Sequence, residues 1–167
     1  MPTIELGYGH SSINFDYDAE RFAVLTAGEG PSRPLADAEI GAAFEAPVGS
    51  LPLDELIEAG DTVLIVVSDA TRATGSAQIV NLLVRRLIQN GIEPGAMAII
   101  FATGIHRPVR PEEKAELLTP FIAQRLRTVD HDADDASQLI AIGEIDGTPV
   151  KVNRALREFS KIILTGA

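Results

Sequence analysis

Residues 63–104 read VLIVVSDATRATGSAQIVNLLVRRLIQNGIEPGAMAIIFATG. The run Val63 to Val67 is continuous and mostly β-branched, the composition of a strand covered on both faces. That strand is expected to end at Ser68. Between Gly75 and Asn90, Ile79, Leu83 and Leu87 recur on one helical stripe with Leu82 beside them, and Gly91 is a C-terminal stop. The segment AMAIIFA at 96–102 then repeats the buried-strand signature. Strand, helix and strand in this order predict a right-handed parallel crossover. The predicted fold is therefore α/β, a Rossmann-like, mostly parallel sheet with flanking helices.

Towards the N-terminus the pattern changes to alternation. Ile4 and Leu6, then Ile13, Phe15 and Tyr17, stand at period two around a Gly-His-Ser-Ser turn, which predicts a β-hairpin ahead of the sheet. Residues 26–34, TAGEGPSRP, read as a connecting loop; LADAEIGAAFEA at 35–46 has helical spacing through Ile40 and Phe44. A second short helix is expected at PLDELIEA, with Pro52 near its first turn and Gly60 closing it. On the C-terminal side, Pro111 and Pro120 each start a helix, the first with acidic residues suited to the helix dipole. Strand-like pieces follow at LRTVD, LIAIGEI and TPVKVN, with a Gly-Thr turn at 147 and 148, and KIILTG closes the sequence. No internal repeat is present, and 1–167 is read as a single domain.

Composition narrows the classes of function. Of the 167 residues 46% are hydrophobic and 23% charged, which is globular rather than disordered. Aromatics are only 5%, with no Trp, so the core must be built from Ile, Leu, Val and Ala. The net charge of -10 repels phosphate backbones and argues against a nucleic-acid partner. Without cysteine there is neither a disulfide framework nor a thiolate site. The start MPTIELGYGHSS lacks the features of a signal peptide, and no apolar run approaches membrane-spanning length, so a cytoplasmic protein without membrane contact is expected.

Two strand ends concentrate polar chemistry. The first supplies Ser68, Asp69, Thr71 and Arg72, hydroxyls and a guanidinium suited to a phosphate or a carboxylate. The second supplies Thr103, Gly104, His106 and Arg107, and His106 is the group able to shuttle a proton near neutral pH. In a parallel sheet both loops emerge at the carboxyl edge, where ligands bind. The plainer alternative is that Ser68 or Asp69 caps the next helix, that Arg72 pairs with a surface carboxylate and that His106 bonds the backbone. His131 lies in VDHDADD; its aspartates allow a divalent-metal reading, against that of a solvated acidic loop. His10 is read as exposed. No P-loop, GxGxxG, nucleophile elbow or HExxH motif occurs.

At the two strand ends the sequence resembles the lactate racemase family, whose members show S-D-x-T-R-P and T-G-x-H-R-P; here these read S-D-A-T-R-A and T-G-I-H-R-P. The likeness extends through VDHDADD and GTPVKVNRAL, with one departure, Ala73 where the family has Pro. The resemblance implies a racemase of 2-hydroxy acids that uses a nickel-pincer nucleotide to accept and return a hydride at C2. Carried over, Ser68, Asp69, Thr71, Arg72, Thr103 and Gly104 would bind cofactor, Arg72 would also serve catalysis, and His106 would be the base; no metal ligand falls in this sequence. Family members continue past the position of Ala167 with a second catalytic His, a Gly-rich turn, the Lys that attaches the cofactor and a nickel-ligating His. The resemblance thus implies the N-terminal portion of a longer enzyme, inactive alone, whose partners are a small 2-hydroxy acid and its own C-terminal domain. The competing readings are a non-catalytic phosphate- or anion-binding module and a metal-dependent hydrolase built on His131.

Overall fold

The structure, a computed structural model, describes residues 1–25, 33–72 and 75–166. The expected loop at 26–34 lies outside them except for Arg33 and Pro34, and so does Ala73. The chain divides into two compact units, Met1–Pro34 and Leu35–Ala167.

In the first unit, β1 (Thr3–Tyr8) and β2 (Ser11–Asp16) pair antiparallel around a turn at Gly9 and His10. Gly9 takes φ 61°, a conformation that costs glycine nothing. Period-two alternation puts Ile4, Leu6, Ile13 and Phe15 on one face, and the register pairs Ile4 with Phe15 and Leu6 with Ile13. His10 is exposed.

The second unit holds α1 (Asp37–Glu45) and α2 (Leu53–Leu56), then β3 (Val63–Ser68), α3 (Ser76–Gln89) and β4 (Met97–Ala102). After these come α4 (Pro111–Leu117), α5 (Pro120–Arg125), β5 (Arg127–Asp130), β6 (Leu139–Ile145), β7 (Thr148–Asn153) and β8 (Lys161–Leu164). The sheet has the order β5-β4-β3-β8 and all its pairings are parallel. β6 and β7 form a separate antiparallel hairpin. Its turn is Asp146–Gly147, both at positive φ, rather than the expected Gly-Thr pair, because a two-residue hairpin loop needs left-handed residues and Thr148 is already paired to Ile145.

Strand residues alternate between two cores. Val63, Ile65 and Val67 with Met97, Ile99 and Phe101 meet α3 and the α4–α5 segment, through Val80, Leu83, Val84, Leu87, Leu118 and Ile122. Leu64, Ala98 and Ile100 face the other way onto Ala155, Leu156 and Phe159. The stripe of α3 is rotated relative to expectation: Val80 and Val84 are buried with Leu83 and Leu87, whereas Ile79 and Leu82 are half-buried. Ile79 instead lines a groove shared with Phe44. Helix α2 is a single turn, because Ile57 is extended (φ -127°, ψ 121°) and buried, and Gly60 (φ 99°) belongs to the turn into β3 rather than to a helix end. Among the described residues no helix is long and apolar enough to cross a membrane.

The central position of β3 makes its apolar residues the most sensitive in the unit. Ile65 has no solvent exposure, so Ile65→Ala should lower the unfolding free energy by about 2–5 kcal/mol through lost transfer energy and a residual cavity. Urea unfolding followed by circular dichroism measures this; a change under about 0.5 kcal/mol, the size of a surface substitution, would contradict the assigned core.

Candidate functional site

The six-residue register between β3 and β4 places Ser68 beside Ala102, so the two following loops leave the carboxyl edge side by side. β3, β4 and β5 run outward in one direction and β8 lies on the opposite side of β3. The strand order therefore reverses between β3 and β8, and open α/β sheets bind ligands outside the strand ends at such a reversal.

In the first loop Asp69 turns back on itself. Its Oδ1 accepts from the Thr71 backbone N–H at 3.2 Å and from the Thr71 hydroxyl at 2.6 Å, and the Arg72 N–H donates to the Asp69 carbonyl at 3.2 Å. Asp69 does not cap α3, whose N-cap is Gly75 at φ 70° with no side-chain cap bond. In the second loop Gly104 adopts φ 59°, and the turn is closed by the His106 N–H on the Thr103 carbonyl at 2.9 Å. This left-handed position is where a glycine is required. Thr103 is buried and its hydroxyl donates to the His131 carbonyl, tying the loop to the end of β5.

These two turns meet in one contact. His106 Nδ1 lies 2.6 Å from Asp69 Oδ2, with the His side chain 56% exposed and the Asp side chain 8%. Burial pushes the Asp69 carboxyl up, but hydrogen bonds from the Thr71 hydroxyl, the His106 ring and the Thr71 N–H outweigh it and hold the group below its ordinary value. An ionised carboxylate only accepts, so Nδ1 is the donor in this contact, and the neutral form of such an imidazole carries its lone pair on Nε2.

A second tier of contacts holds the His106 loop. Arg107 binds Glu113 bidentately, at 2.8 and 2.6 Å, and Glu113 also accepts from the Arg110 N–H at 2.8 Å. Arg107 first, then the Arg110 N–H, lower the Glu113 carboxyl to about 2. Asp130 accepts from the Val109 N–H at 3.2 Å and pairs with Lys114 at 2.6 Å. Asp69, Thr71, His106, Arg107, Val109 and Glu113 together line a cleft of about 270 Å³.

The other predicted residues do not line this cleft. Ser68 is half-buried, and a Cβ added to Gly166 would stand 2.5 Å from its hydroxyl oxygen, so the backbone after β8 passes directly over it. Arg72 is exposed on the same loop as Asp69. Gly104 lines a separate apolar cleft of about 300 Å³ with Val66, Ile100 and Ala102 on the opposite sheet face. Two carboxylates of the acidic loop are spent on backbone groups: Asp132 accepts from the N–H groups of Asp134 and Asp135, and Asp135 from that of Ser137. His131 Nδ1 faces the buried Asn153 amide at 3.4 Å. Among the described residues no three His, Cys, Asp or Glu side chains are grouped to hold a metal. Asp130, one of the aspartates of the metal reading, instead holds Lys114 and the Val109 N–H; for Glu113 the only local signal in the sequence is a Glu at the third position of a helix beginning with Pro.

The family profile described as "Lactate racemase N-terminal domain" matches residues 8–167. A lactate racemase of Lactiplantibacillus plantarum is 29% identical over 171 residues, spanning 99% of this chain and 40% of that protein. One from Thermoanaerobacterium thermosaccharolyticum is 25% identical over 170 residues with the same coverage. The chain thus spans about 40% of the length of the curated relatives it matches. The solved apoprotein structure of the lactate racemase from T. thermosaccharolyticum superposes with a TM-score of 0.74 at 24% identity, covering 98% of this chain and 38% of that one. A Thermotoga maritima structure from a structural genomics consortium has a TM-score of 0.62 at 22% identity, covering 78% of this chain and 33% of that one. These two likenesses bear out the fold.

The Arg107–Glu113 clamp should be visible in acid. Because the Glu113 carboxyl falls from 4.5 to about 2 on folding, its contribution to stability is complete above the unfolded value and disappears as pH falls from about 4.5 towards 2. Glu113→Gln should therefore be less stable than wild type at neutral pH, and the difference should shrink across that interval. Thermal unfolding of both proteins from pH 7 to 2 tests it; a difference independent of pH would remove the charge from the account.

Proposed function

The chain belongs to the lactate racemase N-terminal domain family, and we propose that it forms the N-terminal, single-domain portion of a racemase that inverts C2 of a small 2-hydroxy acid. The observation that carries this reading is the 2.6 Å contact of His106 Nδ1 with Asp69 Oδ2 at the carboxyl edge. A buried carboxylate behind an imidazole fixes the tautomer, directs Nε2 to the ligand and stabilises the imidazolium that forms when Nε2 takes a proton. His106 is thereby the base for the C2 hydroxyl. A binding module for anions gains nothing from an ionised carboxylate at the centre of its cleft, so the catalytic reading is favoured over it.

The donor set fits the anionic parts of a substrate and of a nickel-pincer nucleotide, and not a metal. Ser68 and Arg72 offer a hydroxyl and a guanidinium to a carboxylate or phosphate, the Thr71 hydroxyl is spent on Asp69 and serves by holding that carboxylate, and Gly104 keeps the turn beside the apolar cleft free of a side chain. The Thr103 hydroxyl is spent on His131, so Thr103 serves by holding the loop. When bound, such a nucleotide supplies a reversible acceptor for the hydride at C2. Asp69 remains ionised throughout and moves no proton itself. The metal ligands, the attachment Lys and a second base would come from the C-terminal portion of the same protein, in the cytoplasm, and the chain alone would not racemise its substrate.

In the full-length enzyme His106→Asn should lower racemisation about 10²- to 10⁴-fold, the usual contribution of a positioned base, while leaving cofactor content unchanged. Mass spectrometry and chiral chromatography on one preparation test both parts; full activity in the variant defeats the assignment, and joint loss of cofactor and activity makes His106 structural. Arg72→Ala should nearly abolish activity, because alanine cannot replace charge-assisted bonds to a carboxylate or phosphate. Ala73→Pro, which restores the family motif, should be tolerated. Comparable turnover of Arg72→Ala and wild type would exclude the proposed role of Arg72.

A further inference from the structure

The sheet ends in two different edges. β5 carries Arg127 and Asp130 at its ends, with Arg127 paired to Glu158 at 2.7 Å and Asp130 to Lys114, so charge guards it against further pairing. β8, of sequence KIIL, has one charged residue, Lys161, and its two outer apolar side chains are exposed: Ile162 by 42% and Leu164 by 76%. The N–H groups of Lys161 and Thr165 donate to Thr62, the residue before β3, and to Val66 on β3. With the two-residue period of a parallel ladder, the N–H groups of Ile162 and Leu164 point away from β3, to the edge that no strand among the described residues pairs. Against this edge lies an apolar groove of about 380 Å³, lined by Phe44, Leu51, Leu53, Leu56, Ile79 and Ile163. Leu51 and Leu56 are themselves 54% and 41% exposed.

We propose that a strand from the part of the full-length protein that follows residue 167 pairs with the outer edge of β8, extends the parallel sheet and fills this groove. The inference deepens the reading of the chain as the N-terminal portion of a longer racemase, and rests on it. The occupant follows from what the chain lacks: the curated relatives are about two and a half times its length, since it spans 40% of each. Ile163 to Gly166, the residues leading out of the sheet, form one wall of the groove. The polypeptide therefore leaves the unit beside the surface to be covered, and a crossover returning to that side needs no contact with another molecule. The added strand would also stiffen the backbone at Gly166, which passes over Ser68 at the reversal point of the sheet.

Residue-resolved amide exchange on the full-length protein tests this. The Ile162 and Leu164 amides are expected to exchange as slowly as those of Lys161 and Ile163, to within about tenfold, as members of one cooperative unit. Exchange of Ile162 and Leu164 at near-unprotected rates beside a protected Lys161 and Ile163 would show an open edge and overturn the proposal. Protection that disappears on dilution to a monomer would assign the edge to a second copy, and would equally overturn it. A reading frame ending at residue 167 would defeat the longer-racemase reading itself, whereas an open edge in a longer protein defeats this inference alone.

Discussion

Everything at the carboxyl edge depends on the parallel pairing of β3 with β4. Six consecutive residue pairs, from Val63–Met97 to Ser68–Ala102, run in register between strands that are buried over most of their length and reach solvent at their carboxyl ends. A buried backbone polar group without a partner is costly, and a slip of one residue would send every buried side chain to the opposite face. The register is thus strongly constrained by the two cores. Because both strands end at the same level, the next residues of each must occupy adjacent space, and Asp69 and His106 become neighbours although 37 positions separate them.

The electrostatics of the site are those of one buried anion supported by several donors. In a chain of net charge -10, an additional interior carboxylate is unfavourable unless its lone pairs are used. Asp69 satisfies this with the Thr71 N–H, the Thr71 hydroxyl and the His106 ring. The first two come from its own turn, so only the third depends on the second loop. The His106 loop has its own supports, Thr103 on His131, Val109 on Asp130, and Arg107 and Arg110 on Glu113. The imidazole is thus held by contacts from two separately braced turns.

Much of this was legible in the sequence. The runs VLIVV and AMAIIFA could be read as buried strands because two-sided burial removes polar residues, and the α3 pattern because a helix on a sheet shows a 3.6-residue period. The N-terminal hairpin followed from period-two alternation around its Gly-His-Ser-Ser turn. Where the reading shifted, a tertiary contact prevailed over a local preference. Ile57 leaves the helix to enter the core, Ile79 turns to the Phe44 groove, and Thr148 joins its strand rather than the turn. The acidic run around His131 looked like a ligand set because spacing does not reveal that Asp132 and Asp135 are occupied by their own backbone.

By itself, then, the sequence determined the α/β class, the strand-helix-strand core and the two polar loops, with His106 as the proton-transfer candidate, because periodicity and side-chain chemistry are local properties. Which residues touch was decided only by the tertiary structure. Asp69 could equally have capped α3, and Glu113 could have remained a helix-dipole residue, since each option satisfies the same local rules. The choice rests on distance across the sheet edge: the register brings the His106 ring within 2.6 Å of Asp69, and the fold of the loop onto α4 brings Arg107 to Glu113. Those contacts exist only after strands and helices have packed, and no spacing along the chain encodes them.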